Sequence, residues 1–302
     1  MGGLSGETGA FQDHQADMSA RPQGHIPKAQ VIENFKRLYP MPHVLIKARR
    51  IIADPRAGFE QLAAVLQTDP AVAGRIVKVA NSAYFRRSGN ISSVRQATTL
   101  LGMRIVTQII TMVSQSKKLG QAVSGYGMEA GVLWRHSLSV AILAELLARR
   151  TRWGELSEAF LAGLMHDAGK IILDSYLVQQ AGDARRPGPV SGVDAVDMEM
   201  GTLGFDHADI GCELCIKWQL PIILANAIRF HHMPHMSGHN KLAYILNLAD
   251  YIAHRLNKPP EDSDSWCEAE NELAYLGLSL EDATETAAML AERLETLEED
   301  TF

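Results

Sequence analysis

An aspartate in the middle of an apolar, helix-forming run constrains this chain more than any other feature. Asp250 stands in AYILNLADYIAHRL, residues 243–256. A carboxylate there is costly to bury unless a partner pairs with it or a cation coordinates it. Asp167, in AFLAGLMHDAGK, keeps similarly apolar company. Five of the 11 histidines lie in or beside such segments: His136, His166, His207, His231 and His232. Imidazole nitrogens combined with carboxylates form the ligand set of Fe, Mn, Ni or Zn rather than Mg or Ca. An aspartate directly after a histidine can bridge two ions, one oxygen to each, and two-metal sites of that kind activate water for attack on phosphate esters.

Taken singly, a helical histidine is ordinarily a hydrogen-bonded core residue or a surface one, and His14, His25, His43, His235, His239 and His254 are read that way. Adjacent His231 and His232 point about 100° apart on a regular helix. They converge only where the helix ends, and Pro234 marks such an end.

The fold expected is all-α, built from many short helices. Phe59, Leu62, Ala63 and Leu66 follow the spacing of a buried helical face. Asp69 before Pro70 suits a cap followed by proline in the first turn. Alternating β-branched runs bounded by Asn-Gly or Asp-Gly are missing. Helices are expected over Leu133–Arg150, Leu156–His166, His207–Trp218, Pro221–His231 and Lys241–Arg255. Gln179–Gly204, rich in Gly, Pro, Asp and Arg, is the segment expected to be an internal loop. The expected organisation is a flexible tail over 1–25, an N-terminal helical subdomain over 26–125, a helical subdomain carrying the His/Asp constellation over 126–256, and acidic C-terminal helices over 257–302, joined near Gly277.

Charge and composition narrow the function. With 29 Lys+Arg against 35 Asp+Glu the net charge is -6, the wrong sign for a general nucleic-acid binder. No apolar run approaches the roughly 20 residues of a membrane span, the N-terminus lacks the pattern of a signal peptide, and three cysteines do not make a disulfide framework. The expectation is a soluble, cytoplasmic protein. Cys212 and Cys215, at i and i+3 of an expected helix, read as core. Trp134, Trp153, Trp218 and Trp266 are spread too widely for a stacking platform.

His136 in WRHSLSVAILAELLA, His166-Asp167 in AFLAGLMHDAGK and Asp250 in LNLADYIA resemble the H…HD…D series of the HD phosphohydrolase superfamily. The segment FDHADIGCELCIKWQLPIILANAIRFHH is similar to the HDOD branch, the HD-related output domain of bacterial signalling proteins. LYPMPHVLIKARRII, FEQLAAVLQTDPAVAGRIVKVANSAYF and ISSVRQATTLLGMRIVTQII resemble its N-terminal helical subdomain. The likeness covers about Ile26 to Arg255. It implies a multi-helix HD bundle preceded by that subdomain.

The resemblance also implies that His136, His166, Asp167 and Asp250 surround one ion. His207, His231 and His232, with Asp167 bridging, match the positions of a second ion in the related HD-GYP phosphodiesterases of cyclic di-GMP. Lys170 matches a lysine that faces substrate phosphate in those enzymes, the alternative being a solvated lysine at a helix end. Those enzymes continue after the paired histidines with Glu and a Gly-Tyr-Pro signature, where this chain reads MPHMSGHN. Val132 stands where some relatives place a further metal-binding Glu. The cofactor expected is one or two divalent transition-metal ions, Fe, Mn, Ni or Zn.

Two functions follow. One is a regulatory output protein that contacts signalling proteins in trans, with a nucleotide as the candidate small ligand of the HD pocket. The other is a metal-dependent phosphohydrolase acting on a nucleotide or cyclic-dinucleotide phosphoester, with Asp167 and Lys170 as its catalytic residues.

Overall fold

A computed structural model of the chain describes residues 26–38, 43–54, 56–68, 73–74, 76–77, 80–81, 91–99, 102, 106, 119–154, 156–181, 190, 192–256, 266 and 269–301. The expected tail, the expected cap at Asp69-Pro70 and Cys267 lie outside them. Among the described residues there are twelve α-helices and no strand, only an isolated bridge between Val123 and Met128. None of these helices is long and apolar enough to cross a membrane.

Three helices come first: α1 (Lys28–Leu38), α2 (His43–Ala53) and α3 (Phe59–Leu66). In α3 three residues of the predicted face, Leu62, Ala63 and Leu66, are buried, while Phe59 at the first position of the helix is exposed. The bundle that follows consists of α4 (Val132–Arg150), α5 (Leu156–Met165), α6 (Ala168–Ala181), α7 (Gly192–Leu203), α8 (His207–Lys217), α9 (Ile222–Arg229) and α10 (Lys241–Leu256). The chain ends in α11 (Glu270–Leu276) and α12 (Leu280–Thr301).

At the centre runs α4, apolar almost all round and buried from Trp134 to Ala148 except at Arg135, as befits a helix enclosed by others. It packs along α5 and α10. At Gly163 of α5 a Cβ would come within 2.5 Å of the Ala141 Cα, so only glycine permits that crossing. Helix α8 packs on α6 and α9 and is capped by Asp206, whose side chain accepts from the Asp209 amide at 2.7 Å. Gly277, at φ 66°, ends α11 in the left-handed conformation. Ser279 and Asp282 exchange side-chain and backbone bonds to start α12, and that helix is tied to α4 by Arg150, which pairs with Asp282 and Glu285.

The expected internal loop over Gln179–Gly204 is corrected at both ends. Helix α6 continues to Ala181, and Gly192–Leu203 is helical. The stretch GDARRPGP over 182–189, which carries most of the Gly, Asp and Pro content that suggested a loop, lies outside the described residues. Gly192 has φ 60° at the start of α7 and Gly204 φ 80° just after its end, while the residues between bury Ala195, Glu199 and Leu203. Cys212 and Cys215 are both buried in α8, as core residues.

Candidate metal centre

Six segments deliver side chains to one point inside the bundle. His136 comes from α4, one turn from its start. His166 and Asp167 form the turn between α5 and α6, and Lys170 lies in the first turn of α6. His207 opens α8. His231 and His232 follow the end of α9 at Arg229, where the chain turns before the 3-10 segment Pro234–Ser237. Leaving the helix lets the two adjacent rings come together, with centroids 3.9 Å apart. Asn247 of α10 donates to the His231 carbonyl at 2.6 Å and holds that turn. Asp250 comes from α10 itself.

The first cluster comprises His136, His166 and Asp250. Asp250 Oδ1 lies 3.0 Å from His136 Nε2 and 3.6 Å from His166 Nε2, and the two nitrogens are 3.3 Å apart. Asp167 Oδ2 reaches the same group, 3.4 Å from His166 Nε2 and 3.6 Å from His136 Nε2. The second cluster comprises His207, His231 and His232. Here Asp167 turns its other oxygen: Oδ1 lies 3.2 Å from His207 Nε2, which is 3.0 Å from His232 Nε2. One carboxylate therefore stands between two histidine groups with an oxygen toward each.

Proton bookkeeping shows what this arrangement lacks. The Nδ1 atoms of His166 and His231 face the carbonyls of Gly163 and Ile228 at 2.7 and 2.6 Å, acceptors that require a proton on Nδ1. In the neutral rings Nε2 is then a bare lone pair, and it points inward at carboxylate oxygens and other imidazoles. Asp167 Oδ1, Asp250 Oδ1 and His231 Nε2 are buried without a hydrogen-bond partner. A cluster of acceptors facing acceptors calls for cations, and the nitrogen and oxygen donors fit a divalent transition metal.

The electrostatics show the same demand for positive charge, met on His166 by a second proton. Burial resists a charge on His166, yet Asp167 and Asp250 outweigh it and raise its pKa to about 10. Burial likewise opposes ionisation of Asp167, but His166 and Lys170 hold its carboxyl well below the usual range. Asp250 is lowered too, against burial, by His254 and His136. At His231 and His232 the carboxylates are outweighed. Burial and the neighbouring imidazoles keep both neutral, with His232 pushed down to about 3.

Lys170 is only 1% exposed and donates to Asp167 Oδ2 at 2.7 Å, so it is a buried ion-pair partner and not a solvated helix end. Three residues with a place at this centre escaped the sequence reading. His254, read as an ordinary histidine outside the ligand set, has its Nε2 3.3 Å from Asp250 Oδ1 and its ring 4.5 Å from that of His136. Its spacing four residues after Asp250, one helical turn, was the available signal. Glu199 and Tyr126 are wholly buried beside His207. Nothing in the apolar periodicity pointed to either.

With the geometry described, comparison with known proteins places the chain. The family model of the HDOD domain matches residues 38–234, more than half of the sequence. The chain belongs to the HDOD family. Among solved structures, this HDOD protein is similar to a presumed signal transduction protein from Marinobacter aquaeolei, at 24% identity and a TM-score of 0.68, over 92% of this chain and 61% of that one. It is similar to a presumed phosphohydrolase from Shewanella amazonensis at 22% identity and a TM-score of 0.65, over 87% and 93% of the two chains. An HDOD domain protein of unknown function from Geobacter sulfurreducens matches at 20% and 0.64, over the same shares. At these identities the likeness is one of fold. An uncharacterised protein of Treponema pallidum is 25% identical over 214 residues, which make up 68% of this chain and 40% of that relative's length.

Proposed function

We propose that this HDOD protein is a regulatory output module that acts on signalling proteins in trans through protein–protein contacts, with a metal-loaded His/Asp centre holding its bundle together. The observation that carries this reading is the burial of the machinery. His166, His207 and His231 have no exposed surface, Asp167 and Lys170 have 1% each, and the lysine that would face a substrate phosphate is spent on Asp167. Ions bound there would tie together helices distant in sequence, as structural metals do. The similar Marinobacter protein, a presumed signal transduction protein, points the same way.

A second reading, a metal-dependent phosphohydrolase, is favoured by one observation: Asp167 offers an oxygen to each of two clusters. Bound metal would supply a hydroxide nucleophile at neutral pH. His232 and His254, both less buried than the rest of the centre, would bound the open side where a nucleotide or cyclic-dinucleotide phosphoester enters. A presumed metal-dependent phosphohydrolase from Shewanella amazonensis shares the fold at 16% identity and a TM-score of 0.51.

Metal analysis of anaerobically purified protein, beside a phosphodiester turnover assay with Mn, Fe, Ni and Zn, separates the two. Stoichiometric metal without turnover supports the regulatory reading. Turnover that disappears in Asp167→Ala replaces it with the second, and a wild type that carries and takes up no metal removes both.

A further inference from the structure

We propose that Glu199 is the positioning residue of the second metal position, holding His207 in the one tautomer able to bind an ion, and that Tyr126 holds Glu199 in turn. This inference rests on the metal-binding part of the reading above. The Glu199 carboxylate receives three donors. The Tyr126 hydroxyl reaches Oε1 at 2.5 Å, the His207 backbone amide reaches Oε2 at 2.7 Å, and His207 Nδ1 lies 2.8 and 2.9 Å from the two oxygens. All three residues are wholly buried, so no water competes for these bonds.

An amide can only donate and a carboxylate can only accept, so His207 Nδ1 must carry the proton. In the neutral ring, the form that binds an ion, that leaves Nε2 bare, and Nε2 is the atom that faces Asp167 Oδ1 and His232 Nε2. His166 and His231 are oriented differently, by the neutral carbonyls of Gly163 and Ile228. Of these three rings His207 alone is backed by a charged acceptor. A carboxylate behind a ligating imidazole fixes its tautomer and raises the basicity of the other nitrogen. The second position is thereby tuned from α7, a segment that supplies no ligand of its own. Tyr126 extends the tie to the bridged turn between Val123 and Met128, and its carbonyl accepts from the Val190 amide at 3.1 Å.

The test compares full-length wild type, Glu199→Gln and Tyr126→Phe, each stripped of metal and titrated with zinc against a competing chelator. Wild type takes up two ions. In Glu199→Gln the second ion should bind about 10–100-fold more weakly with the first unchanged, and Tyr126→Phe should show a smaller loss at the same position. Nitrogen NMR of 15N-histidine protein supplies a readout that simple destabilisation does not move. The His207 ring should be a single Nδ1–H tautomer in wild type and a mixture in Glu199→Gln.

Equal weakening of both ions, or a Glu199→Gln protein with wild-type affinity and an unchanged His207 tautomer, would overturn the inference and leave the metal reading standing. A wild type that takes up no zinc overturns the metal reading itself. Tyr126→Phe, which keeps the buried ring, carries the test should Glu199→Gln fail to fold.

Discussion

A Cβ on Gly169 would lie 2.0 Å from the carbonyl oxygen of His207, so the helix carrying Lys170 and the helix carrying His207 meet backbone to backbone. The contact sets how near Asp167 comes to the second histidine cluster. Gly169→Ala cannot be absorbed by a side-chain shift, because the obstacle is main chain. It should cost about 1–3 kcal/mol, the usual range for overpacking, and weaken the ion at His207 more than the ion at His136. Urea denaturation and metal titration of the variant check the two effects separately.

Lys170 and Asp167 form a buried pair at 2.7 Å. Removing the cation leaves only the neighbouring imidazoles to offset the charge of Asp167, so Lys170→Met should destabilise the metal-free protein by about 3 kcal/mol, the low end for a broken buried pair. Bound metal supplies positive charge to the same carboxylate, so the loss should shrink in the loaded protein. Denaturation curves with and without chelator measure the difference, and equal losses in both states would contradict the role given to Asp167.

Chelation by itself should destabilise the wild type. A ligand present at about 1,000 times its dissociation constant adds about 4 kcal/mol to the folded state. Thermal melts should accordingly fall on adding chelator and recover on adding back metal. A melt indifferent to chelator, in protein shown to contain metal, would mean that the ions lie elsewhere.

The pH dependence of the metal-free protein has two flanks. The folded pKa of His166 is about 10 against an ordinary 6.5, held up against burial by Asp167 and Asp250. Its contribution is full below 6.5 and is lost as pH rises through that window. His232 is shifted the other way, by burial and by His207, to about 3. Below 6.5 the unfolded chain takes up a proton that the folded one refuses, so stability falls as pH drops toward 3. Stability without metal should therefore peak near the ordinary histidine value. Metal displaces the His166 proton, so loading should remove the alkaline decline and should itself tighten as pH rises. Denaturant midpoints across the range, with and without chelator, follow both flanks.

His254→Ala should weaken the ion at His136 by about tenfold, the low end for residues that support a ligand, because His254 lies against both Asp250 and His136. The ion at His207 should be unaffected. Site-resolved metal titration decides it.

How much of this was legible in the sequence depended on the kind of signal each residue carried. Asp250 and Asp167 announced themselves because an ionised group in an apolar run has few physical excuses, and the histidines around them gained meaning from that anomaly. All seven residues singled out as ligands meet in the structure. Glu199 gave no comparable anomaly, since it lies in DAVDMEMG, where one more acid close after two aspartates looks solvated. Its burial depends on α7 closing over His207 and on a tyrosine 73 residues earlier, a coincidence of packing that no local pattern encodes. His254 was passed over because a single helical histidine, taken alone, reads as an ordinary capping or core residue. The helices themselves were readable from periodicity, except α7, whose flanking glycines resembled a loop.

The order in which ligands occur along the chain has a consequence for synthesis. Everything that faces the second position, Asp167, Glu199, His207, His231 and His232, precedes α10. That half of the centre is complete in sequence before Asp250 has been translated. The first position is different. His136 and His166 emerge early but lack their closing carboxylate until α10 has left the ribosome and docked, and N-terminal parts of a chain fold before later ones arrive. An ion bound beside His136 would therefore be the last to be installed, and its capture would distinguish a finished molecule from one still being made.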